Sequence, residues 1–507
     1  MKGLLTALIA MCSLAAGAVD FNYEAGVTAN ASSGALAPYM LGSWNGDRLS
    51  AATGICHDGL FEKRPDTSLR FDWSAGIEYI LGYGSAAHYD HWQPDNQTWT
   101  TTDLRPAPIR LQQLWGSVRY RGIFATAGMH EQPSLIVDGS MSSGDITRSN
   151  NARPIPGLEI GFNDFQNIPF TNGWVQIEGR IMYGRMTDTD YKDNFFNRYS
   201  GIIASDLWYT YKRCYFRTKP SQPLSITVGM QTAGLFAGET KFYNRGTIYR
   251  TETRGFHLRD IWDMFFPTEG GEDYYKGSSL GSWDFKADIA LRNGSSIKAY
   301  FEWPWEDGSG IGRRNGWDGL WGVQYNFART GWVSKVLVEY VDFTNQSGWI
   351  HFSHTDNPGT TIGSHADGGD NYYNNDYYGP YANYGMAIGT PFIVAPAYNS
   401  DGRYAFLHNR ARGFHAAVAG DPSEQWSYTL KVSWQRAGGD GRRPARELVD
   451  DTSAMAGVNW RPASVPGLTV SAKAAFDAGR LRGNNFGAMV GVTYSGKLSF
   501  NRKKSAK

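Results

Sequence analysis

Along much of this chain, apolar and polar side chains alternate with a period of two residues. In one such segment, the apolar parity consists of Trp283, Phe285, Ala287, Ile289 and Leu291. The opposite parity of that segment consists of Asp284, Lys286 and Asp288. Similar alternation covers 224–230, 428–434 and 468–476. Because successive side chains of a strand point to opposite faces, each segment has one apolar and one polar face. The pattern predicts an all-β protein.

The apolar faces need a covering, and lipid is one candidate. After the N-terminal segment there is no run of about 18 apolar residues, which is the signature of a membrane helix, and the mean hydropathy is −0.44. A closed antiparallel β-barrel satisfies its backbone hydrogen bonds within lipid and needs only one apolar face per strand. The alternative is a soluble all-β sandwich or repeat protein secreted to the periplasm.

The lengths of the predicted connections favour the transmembrane barrel. Counted back from the last strand, connections alternate between two sets. The short set is 461–467, 420–425, 328–331, 292–295 and 219–223. The long set is 477–485, 436–452, 344–411, 304–316 and 239–282. Outer-membrane barrels have short periplasmic turns and longer extracellular loops, whereas a sandwich does not explain such asymmetry. We therefore expect the short set inside and the long set outside.

Continuing the count to the N-terminus gives 19 candidate strands, of which 22–29, 36–44 and 158–162 are the weakest. With both termini in the periplasm the number must be even, and we expect 18. In the hairpin 283–303, the charged residues should face the lumen, because charges on the lipid face destabilise a barrel. Those residues are Asp284, Lys286, Asp288, Lys298 and Glu302.

The two ends of the chain indicate export to the outer membrane of a Gram-negative bacterium. Residues 1–18 have a basic start, an apolar run and small residues at the cleavage position, which predicts a signal peptide. The barrel is then expected over 19–500. Its last strand ends on Phe500 and resembles the signal that barrel-insertion machinery recognises. The basic tail 501–507 departs from that signal.

Composition and motifs narrow the function classes. The net charge of +1 and the lack of a basic stripe give no reason to expect a nucleic-acid partner. Cys56 and Cys214 form either a pair or two free thiols. No H-E-x-x-H, P-loop or C-x-x-C motif is present, so we expect neither an enzyme nor a cofactor. Glu306 and Asp307 are adjacent and cannot face each other across a sugar.

A histidine-rich segment is a candidate metal site. His351, His354 and His365 lie near several aspartates in loop 344–411. Their spacing lacks the regularity of a ligand set, so a solvated polar loop is the favoured interpretation and no metal is expected.

Four blocks of sequence resemble segments typical of the Wzi family of capsule-assembly proteins. The first comprises 142–144 (SSG), 151–156 (NARPIP) and 168–174 (IPFTNGW), and the second is 280–284 (LGSWD). The third comprises 306–310 (EDGSG) and 317–322 (WDGLWG), and the fourth 369–375 (GDNYYNN) and 388–391 (IGTP). Together they extend from 142 to 391, which is about half of the chain.

The resemblance implies an outer-membrane barrel of 18 strands whose lumen is closed. It also implies a lectin at the cell surface that anchors or organises capsular polysaccharide. Outer-membrane lipid or lipopolysaccharide and the barrel-insertion machinery are the other implied partners. A porin or substrate-specific channel, which would need an open lumen, is the alternative.

Two loops carry the residue types that bind sugars, namely aromatic rings that stack on C–H faces and polar groups that bond hydroxyls. From loops 304–316 and 344–411 and their borders, the candidate glycan contacts are Glu306, Asp307, Arg313, Arg314, Trp317, Tyr372, Tyr373, Asp376, Tyr377 and Tyr378. The competing interpretation is that these aromatics form an interfacial girdle or pack the loops over the lumen.

The predicted topology can be tested on whole cells with single cysteines at Gly294 and Ser309. An impermeant maleimide should label the cysteine at 309, in a long loop, and leave the cysteine at 294, in a short turn, unlabelled. Labelling at 294 without labelling at 309 would show that the assignment is inverted.

Overall fold

The computed structural model describes residues 19–266, 277–306, 308–348, 351–353, 365–367 and 369–500. The predicted signal peptide 1–18, the tail 501–507, Asp307 and His354 lie outside these residues. Side chains are not described at a few positions, which include His351 and His365.

One large antiparallel sheet dominates the structure. Its strands are β1 (Val19–Leu36), β2 (Ala51–Lys63), β3 (Phe71–Gly84), β4 (Ile109–Tyr120), β5 (Ile123–Met129), β6 (Gly157–Phe162), β7 (Val175–Arg185), β8 (Trp208–Thr218), β9 (Leu224–Phe236), β10 (Gly277–Ala290), β11 (Ser296–Trp305), β12 (Gly319–Asn326), β13 (Lys335–Asp342), β14 (Ala411–Ser423), β15 (Trp426–Gly439), β16 (Pro444–Trp460), β17 (Leu468–Gly479) and β18 (Asn485–Phe500). The two-residue strand Gln166–Asn167 continues β6, since both pair with β7.

The sheet closes on itself, because β1 pairs antiparallel with β18 from Val19↔Phe500 to Ser32↔Gly487. The protein is thus a closed barrel of 18 strands, and the expected fold is confirmed. Candidates 22–29 and 158–162 lie in β1 and β6. Candidate 36–44 was wrong as a strand, because the helix α1 (Tyr39–Gly42) forms there and all four of its residues are buried.

The predicted inward and outward faces are also correct. Asp284 and Glu302 are fully buried inside the barrel, whereas Phe285 is 43% exposed on its outside. The Lys286 side chain points inward, and its Nζ donates to the backbone oxygen of Leu135 at 2.9 Å. Polar groups thus line the lumen, and apolar side chains form the outer wall.

The connections sort to the two ends of the barrel. One end, which we call the short-turn end, carries the connections 64–70, 121–122, 163–174, 219–223, 291–295, 327–334, 424–425 and 461–467. The long-loop end carries 37–50, 85–108, 130–156, 186–207, 237–276, 306–318, 343–410, 440–443 and 480–484. The predicted loop 436–452 was mostly wrong, because β15 and β16 continue through it as a paired hairpin. Connection 440–443 is therefore shorter than several turns at the opposite end.

Smaller elements decorate the long-loop end. They are the hairpin Ala87–Gln93 with Thr98–Leu104, the sheet of Gly201–Ser205, Gly238–Asn244 and Thr247–Arg254, and the ribbons His351–Ser353 with His365–Asp367 and Ala382–Asn383 with Met386–Ala387. The remaining helices are α2 (Thr189–Phe195), α3 (Leu258–Phe265), α4 (Gly308–Ile311) and the 3₁₀ turn Pro396–Tyr398. In the part of the chain described, no helix has the length and apolar character needed to cross a membrane.

Two loops turn into the lumen and fill it. Residues 130–156 and 369–410, which we call the plug, share one buried core with inward-facing residues of strands β7 to β14. Wall carboxylates bind the plug backbone: Glu339 accepts from the Ser142 hydroxyl (2.6 Å) and the Ser143 N–H (2.7 Å). Glu302 accepts from the Ile146 N–H at 3.1 Å. The polar lumen face thereby gains the partners that buried polar groups need.

The two plug loops also bond to each other. Thr390 Oγ1 donates to the Ser143 oxygen at 2.8 Å, and the Tyr381 hydroxyl donates to the Thr147 oxygen at 2.8 Å. Ser149 Oγ donates to the Gly389 oxygen at 2.7 Å. A cavity of about 20 Å³ remains beside Arg148 and Tyr209, which is room for about one water molecule.

A glycine pair tests how tightly the plug loops fit. A Cβ at Gly389 would lie 2.0 Å from the Ile146 oxygen, whereas a Cβ at Gly139 would meet nothing within 4 Å. We expect Gly389→Ala to destabilise the plug by about 1–3 kcal/mol, because overpacking forces the backbone apart. Hydrogen–deuterium exchange within 140–150 should therefore accelerate in this variant. Gly139→Ala should leave that exchange unchanged, and equal exchange in both variants would contradict the interlocked plug.

Candidate functional site

Three of the tyrosines predicted to contact glycan are buried in the protein. Tyr372, Tyr373 and Tyr378 are only 2%, 3% and 4% exposed. The Tyr372 hydroxyl donates to Asp318 Oδ2 at 3.2 Å and accepts from Asn315 Nδ2 at 2.9 Å. Because their rings have no free face, these three tyrosines cannot stack on a glycan, and the prediction for them is wrong. The interpretation that they pack the loop over the lumen holds for them.

The carboxylate of Glu306 organises the same loop. Its oxygens accept hydrogen bonds from the backbone N–H groups of Asn371 (3.1 Å) and Tyr373 (2.9 Å). Glu306 thus joins the third sequence block to the fourth, and both of its carboxylate oxygens accept from the loop backbone. Asp307 lies outside the described residues.

Trp317 and the two arginines before it lie at the outer edge of the wall. Trp317 is 71% exposed and stacks on Trp303, with ring centroids 5.7 Å apart and planes 13° apart. Arg313 lies 6.0 Å from the Trp303 ring centroid, and both Arg313 and Arg314 are exposed. Trp303 neighbours the inward-facing Glu302 and so points outward. This position matches the girdle interpretation for Trp317.

The two other predicted contacts remain accessible at the long-loop end. Asp376 is half exposed and forms an ion pair with Arg442 of the turn 440–443. Tyr377 is half-buried beneath the hairpin 238–254, where the guanidinium of Arg254 lies 5.1 Å from its ring centroid. Arg250 lies 5.9 Å from the same ring, and both arginines pair with Glu252. This patch combines an aromatic ring with charged hydrogen-bond donors.

An aromatic cluster that the sequence did not reveal lies at the same end. Trp92, Trp99 and Tyr199 pack with ring centroids 5.0–5.4 Å apart. Trp99 remains 48% exposed, and the other two rings are partly exposed. We call these three side chains the aromatic platform.

Three separate segments position the platform through backbone hydrogen bonds. The Trp92 N–H donates to the Asn197 oxygen, and the Gly246 N–H donates to the Tyr199 oxygen, both at 2.8 Å. Gly246 has a φ of +81°, and a Cβ there would lie 2.1 Å from Trp92 Nε1. Only glycine therefore lets the hairpin tip approach the indole so closely. The rings are fixed before any ligand arrives.

The platform offers a stacking surface with polar groups beside it. A half-exposed indole can stack on the C–H face of a pyranose. Its polar neighbours Gln93 and Thr100 bond to each other at 3.1 Å, and neither is an acid or a base at neutral pH. Across the residues that the structure describes, no three His, Cys, Asp or Glu side chains converge as a metal site would require. Cys56 and Cys214 are free thiols, so no bridge joins them.

Known structures with the same fold include an outer-membrane protein of Escherichia coli. It is Wzi, described as involved in group 1 capsule assembly and as a carbohydrate-binding β-barrel. The match has a TM-score of 0.54 at 12% identity and covers 99% of this chain and 89% of that chain. This likeness shows the barrel fold that the sequence blocks led us to expect.

Outer-membrane barrels of two other bacteria also match at lower similarity. OccAB2 of Acinetobacter baumannii matches with a TM-score of 0.48 at 7% identity, covering 95% of this chain and 98% of that chain. OprD of Pseudomonas aeruginosa matches with a TM-score of 0.45 at 10% identity, covering 96% of this chain and 98% of that chain. No protein-family model and no curated protein matches the sequence.

The stability of the loop that buries Tyr372 should depend on pH, because it depends on the protonation of Asp318. Burial raises the pKa of Asp318 to about 7, although hydrogen bonds from the Gln346 and Asn345 N–H groups lower it. The folded loop therefore favours the neutral carboxyl. Its stabilisation is full below the ordinary aspartate pKa of about 4 and is lost as pH rises to about 7.

Amide exchange over residues 343–348 should report this dependence. After correction for intrinsic rates, protection should decrease between pH 5 and pH 8 in the native protein. In Asp318→Asn the carboxyl cannot ionise, so protection should no longer change over that interval. Protection that increases with pH in the native protein would contradict the assignment.

Proposed function

We propose that this protein binds a surface polysaccharide at the long-loop end of an outer-membrane barrel and holds it without cleaving it. The observation that carries the proposal is a filled barrel that presents a preformed aromatic platform. In this proposal the long-loop end faces the cell exterior and the short-turn end faces the periplasm. Lipid surrounds the apolar wall, and insertion machinery assembles the barrel.

The plug supports a binding role over a channel. A porin requires a continuous aqueous path, whereas here two loops share a buried core with the inner faces of strands β7 to β14. A third loop, 37–50, packs against inner residues of β2, β3, β17 and β18. Opening a path would break buried hydrogen bonds such as those to Glu339, and leaving buried partners unpaired costs about 1–3 kcal/mol for each group.

The platform supports a polymeric ligand. One stacked aromatic contact contributes only about 1 kcal/mol, so a single sugar would bind weakly. A repeating polymer presents many equivalent units to many barrels, and such multivalency increases retention without new contacts. The half-exposed Trp99 supplies the stacking face. Arg250 and Arg254, which lie beside the Tyr377 ring, add charged donors, and both arginines are on the hairpin that carries Gly246. The ligand class we propose is a neutral or acidic polysaccharide.

Replacing the exposed tryptophan of the platform tests the binding surface. Trp99→Ala should weaken polysaccharide binding about tenfold or less, since one stacking contact of about 1 kcal/mol is lost. The matched control is Trp174→Ala, because Trp174 is 54% exposed at the short-turn end. Binding is measured on a glycan array with purified barrel, and retention is measured as polymer released into the medium. Equal losses in both variants would refute the platform as the binding surface.

Conductance in planar bilayers separates the lectin from the porin. The purified barrel should give no stable single-channel currents, because the plug fills the lumen. Currents of a defined size, together with normal polymer retention in a deletion strain, would replace the lectin proposal with the channel. Glu339→Ala serves as a positive control, since loss of its bonds to Ser142 and Ser143 should loosen the plug and permit current.

A further inference from the structure

After the hairpin 238–254 the chain leaves the long-loop end and passes to the outside of the barrel. Phe256 stacks on Trp208, with centroids 4.0 Å apart and planes 14° apart. In β8 the alternate residues Tyr209 and Tyr211 are buried inside the barrel, so Trp208 points outward. The residues that follow, which form helix α3, therefore lie against the outer wall and not over the lumen.

Outward-facing wall residues fasten α3 in place. The Tyr183 hydroxyl donates to the Ile261 oxygen at 2.6 Å, and Met264 is buried in one cluster with Phe236. Lys212 Nζ donates to the Met264 oxygen at 2.9 Å and also to the Phe265 oxygen. A lysine on the lipid-facing wall thus meets the free carbonyls at the helix C-terminus, where a cation is favourable.

The side of α3 that faces away from the wall is apolar. Its exposed residues follow the i, i+3, i+4, i+7 spacing of one helix face and are Leu258 (80%), Ile261 (36%), Trp262 (65%) and Phe265 (37%). Next to this face, Arg259 and Asp263 lie within 3.6 Å of each other. The helix thus has one face on the wall, one apolar face and one charged edge.

We infer that α3 is an interfacial anchor whose apolar face inserts at the boundary between headgroups and acyl chains of the surrounding membrane. We choose lipid as the covering of this apolar face because α3 packs directly on wall residues that already face lipid. An amphipathic helix with a tryptophan and a charged edge is the form that lies in this plane. The inference rests on the barrel fold and not on polysaccharide binding.

The anchor connects the membrane to the rim. Hairpin 238–254 runs directly into Phe256 and α3, and its tip holds Gly246 against Trp92 of the aromatic platform. A helix seated in the membrane interface therefore fixes the base of the hairpin that completes the platform.

Spin labels on two faces of α3 test the inference. Single cysteines replace Trp262 or Arg259 in a Cys56→Ser, Cys214→Ser background, and each carries a nitroxide in vesicles of phosphatidylethanolamine and phosphatidylglycerol containing lipopolysaccharide. The measured quantity is the ratio of the nitroxide's collision rate with oxygen to its collision rate with a nickel chelate. This ratio should be several-fold higher at 262 than at 259. Equal ratios at the two positions, or shielding of both from both reagents as a protein partner would cause, would overturn the inference.

A second measurement keeps the native cysteines and covers the case in which the labelled variants do not fold. Brominated lipids quench tryptophan fluorescence at the depth of the bromine. The fluorescence of Trp262, obtained as the difference between wild type and Trp262→Phe, should be quenched by bromines near the headgroups. Trp99→Phe provides the comparison, because Trp99 lies on the platform and its difference should not be quenched. Lack of quenching for Trp262 would overturn the anchor even if polysaccharide binding is intact.

Discussion

The structure depends on closure of the sheet between β1 and β18, because an open edge in lipid would leave backbone N–H and C=O groups without partners. Closure fixes two surfaces at once. The outer surface must be apolar, and the inner surface collects the charged residues that lipid excludes, such as Asp284 and Glu302. Those inner groups need partners in turn, and the plug provides them through its backbone N–H groups and hydroxyls.

The sequence predicted those parts of the fold that follow from local periodicity. A period of two gave the strands and their phase, so Lys286 was correctly placed inside and Phe285 outside. Composition could not show whether a loop turns into the lumen or out towards solvent. Tyr372 and Tyr373 lie in a segment as polar as any exposed loop, yet this segment turns inward. The hairpin at 436–452 was mistaken for a loop because its outward positions carry charged residues such as Arg436 and Asp450 in place of apolar ones.

The aromatic platform shows a different limit of sequence reasoning. Trp92 and Tyr199 are far apart in the chain, and only the packing of three loops brings their rings together. Parts of all four sequence blocks meet where plug and wall interlock, whereas 168–174 lies in the short-turn connection 163–174. Ser142 and Ser143 bind Glu339, Glu306 binds the backbone of Tyr373, and Asp318 binds the Tyr372 hydroxyl. Their residues explain how the lumen closes, while the aromatic platform lies in other segments.

The ties between plug and wall also constrain the order in which the chain can fold. Ser142 bonds to Glu339 across a sequence separation of 197 residues, and Ile146 bonds to Glu302 across 156. Contacts of such high separation carry a large loop-closure cost and form late. Loop 130–156 cannot find its acceptors until β11 and β13 exist, and a finished barrel would leave it little room to enter. We therefore expect the plug to enter the lumen while the wall is still closing.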